Sequence, residues 1–409
     1  MVEYFRKIST RFLKEKYALF KEQRKGENYM MDFALTEKQK LIQQAAREFA
    51  ERELLPGVQE RDLTEEFPMD ILKKLGEAGL IGVQFPKEYG GQGGDYLSFI
   101  LIVEEICKVD SAFGIAYAIS STFATGIYTF GSEEQKMHCL PRLFSGDALG
   151  CFALTEPDAG SDAGSAKTEA VRDGDNFVIN GMKHFITNSA VADYCMLIAN
   201  TDPSKGSKGL TAFLVDLKTT PGVKIGHIEN KCGIRCAKVA EVIFEDCVIP
   251  ADRLVGTEGK GFRYALTALN AGRLSVAAQG LGLAQGAFDI AKEYMKERKQ
   301  FGKPICKNQY LAFKMADLET KIDMGRLLLY KGVWKQQNGE DFAVDACKAK
   351  LACTNMAMEV TTECIQNMGG AGYMREQNVE RMFRDAKITQ IYEGTNEIQR
   401  MIISGSIFA

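Results

Sequence analysis

Histidine is scarce in this 409-residue chain, which contains three His and one Trp. The three histidines are far apart in the sequence, at positions 138, 184 and 227. Cys232 and Cys236 are close together, but no second pair of ligands follows them at a spacing typical of zinc sites. Because a structural metal needs several clustered side-chain ligands, the sequence argues against such a site.

Long apolar runs and an excess of basic charge are also missing. No apolar run approaches the roughly 20 residues that a transmembrane helix requires, so we do not expect a membrane-spanning protein. The chain has 51 basic and 54 acidic residues and a net charge of −3. This balance offers no surplus positive charge to a phosphate backbone, which argues against nucleic-acid binding.

The eleven cysteines form an odd set that is scattered along the chain. This distribution favours free thiols in a reducing compartment over a disulfide framework. The remaining composition is that of an ordinary globular protein, with 45% hydrophobic and 26% charged residues. A chain of this length is expected to form two or three domains.

The first thirty residues differ from the rest because they mix eight Lys and Arg residues with four Glu residues. They lack the apolar core of a signal peptide, and their acidic residues count against a mitochondrial transit peptide. We interpret residues 1–30 as an extension outside the fold, either a solvated helix or the result of a start upstream of Met31. A basic amphipathic helix that docks elsewhere is the alternative.

Residues 31–150 have the pattern of a helical domain. Thr36 with Gln39, and Ser132 with Gln135, form two predicted capping boxes at helix starts. Between them, the apolar stretches SFILIVEEICKV and SAFGIAYAISSTFATGIYTFG predict buried helices.

Residues 151–260 change to the pattern of a β domain. Asp173-Gly174 and Asn180-Gly181 each lie between short β-type runs, and both pairs are typical of tight hairpin turns. The segments YCMLIAN, LTAFLVDL and AEVIFEDCVIP predict further strands.

Residues 261–409 return to the helical pattern. About 40 residues from Gly261 contain no proline, and the four glycines within them suggest close approach of another helix or a ligand. Two more long amphipathic segments follow, and long helices joined by short loops predict an antiparallel bundle. The whole chain is thus predicted to be an α+β multidomain protein.

Five short segments could carry chemistry, and each also has an ordinary structural explanation. LTEPDAGSDAGS could be a loop, KHFITNS core packing, ERKQFGKPI a helix terminus, and QNMGGAGY a helix C-cap. In QIYEGTNEIQR, Glu393 could be a solvent-facing acid at a helix start. The first segment is not GxGxxG and no βαβ unit surrounds it, which disfavours a Rossmann nucleotide site.

Taken together and in this order, these segments resemble the acyl-CoA dehydrogenase family, closest to its short-chain, butyryl-CoA dehydrogenase-like bacterial branch. The resemblance covers about residues 31–409, and MDFALTEKQ is similar to a usual family N-terminus. It implies an N-terminal helical domain, a central β domain and a C-terminal four-helix bundle. It also implies FAD as the cofactor and a homotetramer as the assembly.

The resemblance implies roles for individual residues. The implied contacts to FAD, some of them from a neighbouring subunit, are Phe152, Leu154, Thr155, Gly160, Ser161, Phe185, Thr187, Arg298, Phe301, Gln309, Gln366, Gly369, Gly370, Thr395 and Glu397. The implied contacts to the acyl-CoA are Ser161, Asn270, Arg273, Tyr392 and Gly394. The chain departs from the usual family residues at Asn270, where an Asp is common, and at Asp158, Met182 and His184.

Glu393 is the implied catalytic base. The α-proton beside a thioester is weakly acidic, so its removal requires polarisation of the carbonyl as well as a base. In the family, the flavin ribityl hydroxyl and the backbone N–H of the base residue hold that carbonyl, and the β-hydride goes to the flavin N5. Burial would raise the pKa of the Glu393 carboxyl towards the working pH. We predict that a helix starting at Asn396, with Gln399 three residues on, supports the base.

The expected function is FAD-dependent dehydrogenation of a short-chain acyl-CoA to the 2-enoyl-CoA, with an electron-transfer flavoprotein as the redox partner. Two alternatives remain: the same site run in reverse as an enoyl-CoA reductase, and a catalytically silent subunit that binds flavin or acyl-CoA. The bacterial cytoplasm is the expected location, with the mitochondrial matrix as the alternative. The sequence does not set the acyl chain length, its branching or the direction of the reaction.

Overall fold

The computed structural model describes residues 34–408, and the chain divides after Lys40 into two units. In the short N-terminal unit, the predicted capping box is confirmed. The Gln39 N–H donates to Thr36 Oγ1 at 3.3 Å, and the Thr36 N–H donates to Gln39 Oε1 at 2.9 Å. Helix α1 spans Glu37–Phe49. The predicted extension, residues 1–30, lies outside the described residues.

Helices fill the first part of the large unit. After α1 they are α2 (Val58–Thr64), α3 (Met69–Glu77), α4 (Tyr96–Cys107), α5 (Ser111–Phe130) and α6 (Glu133–Phe144). Helix α4 and most of α5 are buried, as their apolar sequences predict. Each starts at an aspartate, Asp95 or Asp110, whose carboxylate accepts a backbone N–H of the first turn and so satisfies a donor left free there. The capping box of Ser132 and Gln135 is confirmed at the start of α6.

A single sheet forms the middle of the chain. Its strands are β1 (Gly150–Ala153), β2 (Glu169–Asp173), β3 (Asn176–Thr187), β4 (Tyr194–Asn200), β5 (Leu210–Asp216), β6 (Val223–Ile228), β7 (Val239–Pro250) and β8 (Leu254–Val255). The eight strands follow the order β6-β7-β3-β2-β4-β5-β8, with β1 paired to β4. Strand β4 is parallel to β1 and β2, whereas the other pairs are antiparallel.

One of the two predicted hairpin turns is correct. Asp173 pairs with Asn176 at the end of the β2–β3 hairpin, so Gly174 lies in a two-residue turn. The prediction for Asn180-Gly181 is wrong, because this pair lies inside β3 at a register shift against β7. A Cβ at Gly181 would lie 2.7 Å from Thr168 Oγ1. The glycine is therefore explained by the close approach of the segment that contains Thr168, and not by a hairpin turn.

Long helices form the C-terminal part. They are α7 (Gly261–Glu297), α8 (Gln309–Gln337), α9 (Ala343–Met368), α10 (Val379–Thr389) and α11 (Asn396–Ile407), with the short strands β9 (Lys299–Gln300) and β10 (Lys303–Pro304) after α7. A Cβ at Gly282 of α7 would lie 2.5 Å from the Glu104 carbonyl oxygen, which confirms the expected close approach of helices. Helix α7 ends at Glu297, so Arg298 and Lys299 lie just beyond the terminus that the sequence predicted for them.

These elements confirm the predicted α+β class, with helices before and after a central β region. The exact domain bounds remain a prediction. Along residues 34–408, we find no helix that combines the length and the apolar character needed to cross a membrane.

Candidate active site

A cavity of about 660 Å³ lies where the β region meets the C-terminal helices. Strand β1 and the loop after it form one wall, and the end of β3 continues that wall. The opposite side consists of the first turns of α7 and the turn between α10 and α11. The cavity therefore brings together segments that lie more than 200 residues apart in the sequence.

Most of the predicted site residues lie around this cavity. It is lined by Phe152, Leu154, Thr155, Gly160, Ser161, Phe185, Thr187, Arg273, Tyr392, Glu393 and Gly394. A second group of predicted flavin contacts lines a separate cavity, also of about 660 Å³, after the end of α7: Arg298, Phe301, Gln366, Gly369 and Gly370. The structure thus divides the predicted flavin contacts between two places on one chain.

The remaining predicted residues line neither cavity. Gln309 is the exposed first residue of α8, and Glu397 is exposed and paired with Arg400 at 3.1 Å. Asn270 accepts a hydrogen bond from the Arg273 guanidinium. Thr395 is the N-cap of α11, since its hydroxyl accepts the Ile398 N–H at 3.3 Å. The predicted helix start at Asn396 is confirmed, because α11 begins there, with Thr395 as its capping residue.

Glu393 lies in a tight turn whose backbone is left-handed. Its φ is 54°, and that of Gly394 is 85°. A non-glycine residue with positive φ is uncommon, and such strain persists only where the surroundings impose it. On the facing helix α7, a Cβ at residue 272 would lie 2.7 Å from Glu393 Oε2, so only glycine leaves room for the carboxylate there. The turn and Gly272 together place the carboxyl group beside α7.

The carboxyl group of Glu393 has a buried Oε2 atom without a hydrogen-bond partner among the described residues. Burial raises its pKa from 4.5 to about 7, although the positive charges of Arg273 and Lys350 oppose this rise. A carboxyl with this pKa exchanges its proton readily near neutral pH.

Two side chains hold the turn from behind: Lys350, which was not identified from the sequence, and Gln399, which was expected only as part of the supporting helix. Lys350 on α9 donates from Nζ to the Gly394 carbonyl and to Asn396 Oδ1, both at 2.9 Å. Gln399 on α11 donates to the same Gly394 carbonyl at 2.8 Å. The only signal in the sequence was polar residues at positions of α9 and α11 that face inward, and that signal does not indicate what they contact.

A buried ion pair between β3 and the loop after β1 was also missed. Lys183 of β3 donates to Glu156 Oε1 at 2.7 Å and to the Leu154 carbonyl at 3.0 Å. Glu156 also accepts the backbone N–H groups of Lys167 and Thr168 at 2.6 and 2.9 Å. Burial opposes ionisation of Glu156, but Lys183 and these donors outweigh it and lower its pKa. The pair fixes the loop after β1 against β3.

The arrangement places a proton acceptor beside an apolar cavity with hydroxyl groups on the facing wall. In residues 34–408, no group of three or more His, Cys, Asp or Glu side chains is positioned to hold a metal ion. Phe185 has a φ of 57°, stacks on His184 at 3.9 Å between ring centroids, and remains 60% exposed. An exposed aromatic ring at a cavity wall is suited to contact a bound ring system.

Comparisons with known proteins cover nearly all of the described chain. Residues 36–147 match the acyl-CoA dehydrogenase N-terminal domain, residues 151–247 the middle domain, and residues 259–408 the C-terminal domain.

Among curated relatives, a short-chain specific acyl-CoA dehydrogenase of Clostridium acetobutylicum is 50% identical over 92% of this chain and 100% of the relative. An acryloyl-CoA reductase (NADH) of Anaerotignum propionicum is 44% identical over 92% of this chain and 96% of its own length.

Solved structures agree with these relatives. Butyryl-CoA dehydrogenase of Megasphaera elsdenii superposes with a TM-score of 0.91 at 44% identity, over 93% of this chain and 100% of the other. A chain from a structural study of the electron transferring flavoprotein of Acidaminococcus fermentans superposes with a TM-score of 0.91 at 47% identity, over 92% of this chain and 99% of the other. A glutaryl-CoA dehydrogenase of Mycobacterium smegmatis in complex with FADH2 gives 0.87 at 30% identity, over 91% and 95%. From these matches over almost its full described length, the chain belongs to the acyl-CoA dehydrogenase family.

Proposed function

We propose that this protein is an FAD-dependent dehydrogenase of short-chain acyl-CoA thioesters and that Glu393 is its catalytic base. The observation that carries the proposal is a glutamate that lines the cavity and whose buried Oε2 has no hydrogen-bond partner among the described residues. Such an oxygen can accept the α-proton of a substrate, and a pKa of about 7 is suited to general-base catalysis near neutral pH. The relatives named above support the choice of a short-chain acyl-CoA as substrate.

The residues around the cavity fit a flavin. Thr155, Ser161 and Thr187, which carry hydroxyl groups, and the exposed Phe185 line the same cavity as Glu393. These groups offer hydrogen bonds to polar ring atoms and an aromatic surface beside a planar ring. When bound there, FAD supplies the acceptor for the hydride that leaves the β-carbon of the substrate. The protein itself has to orient the acyl group, exclude water and move the α-proton to Glu393.

The substrate end of the cavity has groups that suit a thioester. We propose that the backbone N–H of Glu393 donates to the thioester carbonyl, which lowers the cost of removing the adjacent proton. Tyr392 also lines the cavity, and its hydroxyl is held by Gln279. Arg273, buried on α7, contributes positive charge near the carboxylate that forms when the base releases its proton.

A neighbouring cavity extends the site towards solvent and shares Ser207, Phe262 and Leu266 with the first. Its charged lining residues are Lys205, Lys208, Lys260 and Arg263, together with Asp202 and Glu258. The net positive lining suits the phosphate groups of coenzyme A, which attract basic side chains. A CoA thioester could therefore be bound with its acyl end at Glu393 and its phosphates in this outer cavity.

The second group of predicted flavin contacts supports an oligomer. Arg298 is exposed at the separate cavity, and Phe301 is 100% exposed there. Large apolar side chains are also exposed on α8, on α11 and just after α11: Tyr310, Phe313, Met324, Leu327, Met401, Ile407 and Phe408. Exposed apolar area of this extent is typical of a protein interface. We propose a homotetramer in which these surfaces meet and Arg298 contacts FAD bound mainly by another copy.

The test of the main proposal is anaerobic reduction by butyryl-CoA. The purified protein should be yellow, and butyryl-CoA should bleach the flavin absorbance within a single turnover. A preparation that retains flavin but is not bleached by C4, C5 or branched acyl-CoA esters would instead support the catalytically silent alternative. An electron-transfer flavoprotein added in excess should restore the yellow colour if it is the redox partner.

A second candidate is the same reaction in reverse, as an enoyl-CoA reductase. The observation that favours it is the 44% identity to an acryloyl-CoA reductase. Direction depends on the redox partner and not on the site, because Glu393 can return the proton that it removes. Assays of crotonyl-CoA and acryloyl-CoA reduction, beside butyryl-CoA oxidation, would show which direction the protein favours with each electron carrier.

The oligomer proposal has its own test in the Arg298→Ala variant. Loss of this cation should weaken flavin retention and the assembly together, as measured by the ratio of flavin to protein absorbance and by gel filtration. Lys296→Ala, which removes an exposed cation of the same helix end, is the matched control. Full flavin retention by Arg298→Ala would show that Arg298 does not contact the cofactor.

A further inference from the structure

Lys350 is a fully buried lysine behind the turn that carries Glu393. It lies on α9 with 0% of its side chain exposed. Its Nζ donates to the Gly394 carbonyl and to Asn396 Oδ1 at 2.9 Å each. Asn396 is held in turn by Thr354 and Asn355, to which its amide nitrogen donates at 3.0 Å. The lysine is therefore part of a built network and not a side chain that merely fills space.

The hydrogen-bond partners of Lys350 are neutral, which is unusual for a buried ammonium group. Among residues 34–408, no carboxylate lies within ion-pair distance of its Nζ. A buried cation is costly unless opposite charge compensates it. Its largest favourable electrostatic interaction is with Glu393, whose carboxyl faces the cavity on the other side of the turn. The lysine thus acts on Glu393 without occupying the oxygen that must take a proton.

Resting on the proposed function, we infer that Lys350 is a positioning residue for the catalytic base. It holds the left-handed backbone of Glu393 and Gly394 through the Gly394 carbonyl, and its positive charge favours the ionised carboxylate. A direct ion pair would also favour ionisation, but it would cover the reactive oxygen. Because Lys350 lies behind the turn, it favours ionisation of Glu393 without covering the oxygen that takes the proton.

Other charged and titratable groups also face this turn. Arg273 on α7 acts on Glu393 in the same direction as Lys350, and Glu397 on α11 interacts with Lys350. The neutral titratable neighbours are Tyr96 on α4, Tyr392 in the turn and Cys347 on α9. Burial raises the pKa of each of these three groups, so they stay protonated near neutral pH. Burial lowers the pKa of Lys350 itself to about 8, so Lys350 is mostly charged at neutral pH and loses its charge in alkaline solution. At neutral pH, Lys350 and Arg273 are therefore the two cations that act on the base.

The test is the pH dependence of kcat/KM for Lys350→Met, since this profile reports ionisations of the free enzyme. Loss of the charge should move the base ionisation upward by roughly one pH unit. The value of kcat/KM at pH 7 should fall by at least about fivefold, because the ionised fraction of the base falls by that factor, and should partly recover in alkaline solution. Lys350→Arg should keep the profile near that of the wild type, although its larger group fits less well.

Two further variants separate charge from structure. Lys348→Met removes an exposed lysine from the same helix and should leave the profile unchanged. Gln399→Leu removes the other donor to the Gly394 carbonyl without changing the charge. It should lower the rate at every pH without moving the ionisation. A shift in Gln399→Leu equal to that in Lys350→Met would overturn the electrostatic part of the inference.

A measurement without turnover guards against a folding artefact. The protonated carboxyl of Glu393 can be titrated by difference infrared spectroscopy, with Glu393→Gln as the blank. In Lys350→Met the midpoint should lie above that of the wild type, whereas an unchanged midpoint would overturn the inference. If Glu393→Gln itself kept full activity, the proposed function would fail. If Glu393→Gln lost activity but Lys350→Met kept an unchanged pH profile, as Lys348→Met should, the assignment of Glu393 as the base would stand and only the inference about Lys350 would fail.

Discussion

Two glutamates of the site region differ in how their carboxyl groups are held: Glu156, next in sequence to the cavity-lining Thr155, and Glu393, which lines the cavity itself. Glu156 contacts the ammonium of Lys183 at 2.7 Å and accepts two backbone N–H groups, and its pKa is lowered. Glu393 has a lysine nearby too, but Lys350 binds the backbone of the turn and leaves the carboxyl Oε2 without a partner. The pKa of Glu393 is raised to about 7.

The difference separates a structural carboxylate from a reactive one. A carboxylate whose oxygens are filled by donors is held ionised and cannot readily take a proton. A carboxyl that is buried but unpartnered is less stable as an anion and accepts a proton at neutral pH. Hence the position of the neighbouring lysine, and not its presence, decides the role.

The largest expected effect is on catalysis in Glu393→Gln. The amide keeps the shape and the backbone N–H but cannot accept the proton, so flavin reduction should slow by at least about 10²- to 10⁴-fold. Anaerobic stopped-flow with butyryl-CoA measures this rate, and flavin content should be retained. Reduction at close to the wild-type rate would remove Glu393 from the mechanism.

Next in size is the loss of stability in Lys183→Met. Removing one partner of a buried pair leaves Glu156 uncompensated, which typically costs about 3–5 kcal/mol of unfolding free energy. Denaturant unfolding at neutral pH measures the change. The double variant Lys183→Met with Glu156→Gln should recover part of it, because no buried charge is then left alone. An additive double variant would show that the two groups do not act as a pair.

A smaller effect, of opposite sign, is expected for the stability of Glu393→Gln. The pKa of Glu393 in the folded protein, about 7, lies above its usual value of 4.5, so folding favours the protonated form. The stability that the protonated Glu393 contributes to the folded protein is fully present below pH 4.5 and is lost as the pH rises through about 7. The variant avoids this loss and should be more stable than the wild type at alkaline pH, by roughly 1–3 kcal/mol. Equal stability of the two proteins at every pH would contradict the raised pKa.

The finest test is the pH profile of the wild-type enzyme. Since the ionised form of Glu393 is the base, kcat/KM should rise with pH and level off above about 7. Below the midpoint it should fall about tenfold per unit of pH.

An Arg273→Ala variant should shift the midpoint upward and also raise KM, because the Arg273 side chain lines the cavity and its charge limits the rise of the Glu393 pKa. A midpoint near 4.5 in the wild type would show a solvated carboxyl.

The predictable part of the fold followed local rules. Both capping boxes, the buried helices α4 and α5, and the single long helix α7 depend on periodicity and short-range hydrogen bonds, so the sequence indicates them directly. Asn180-Gly181 misled the prediction for the opposite reason. The pair lies at a register shift inside β3, where Thr168 of a different segment leaves no room for a side chain at Gly181.

The candidate site divides in the same way. Motif resemblance indicated Glu393 and the residues of both cavity walls, because those segments are contiguous in the chain. It could not indicate that Gln309, Asn270 and Glu397 line neither cavity, since that depends on how helices are rotated about their axes. Nor could it indicate Gly272, whose missing side chain matters only because Glu393 faces it from a distant turn.

By itself, the sequence determined the α+β class, the family resemblance and the identity of the carboxylate that we propose as the base. The tertiary structure alone decided the properties of that carboxylate. Packing against Gly272 and the hydrogen bond from Lys350 hold its left-handed turn. Burial raises its pKa to about 7, and the positive charges of Arg273 and Lys350 limit that rise. The reason is physical: a pKa depends on solvation and on charges within several ångströms, and those neighbours are brought together only by packing.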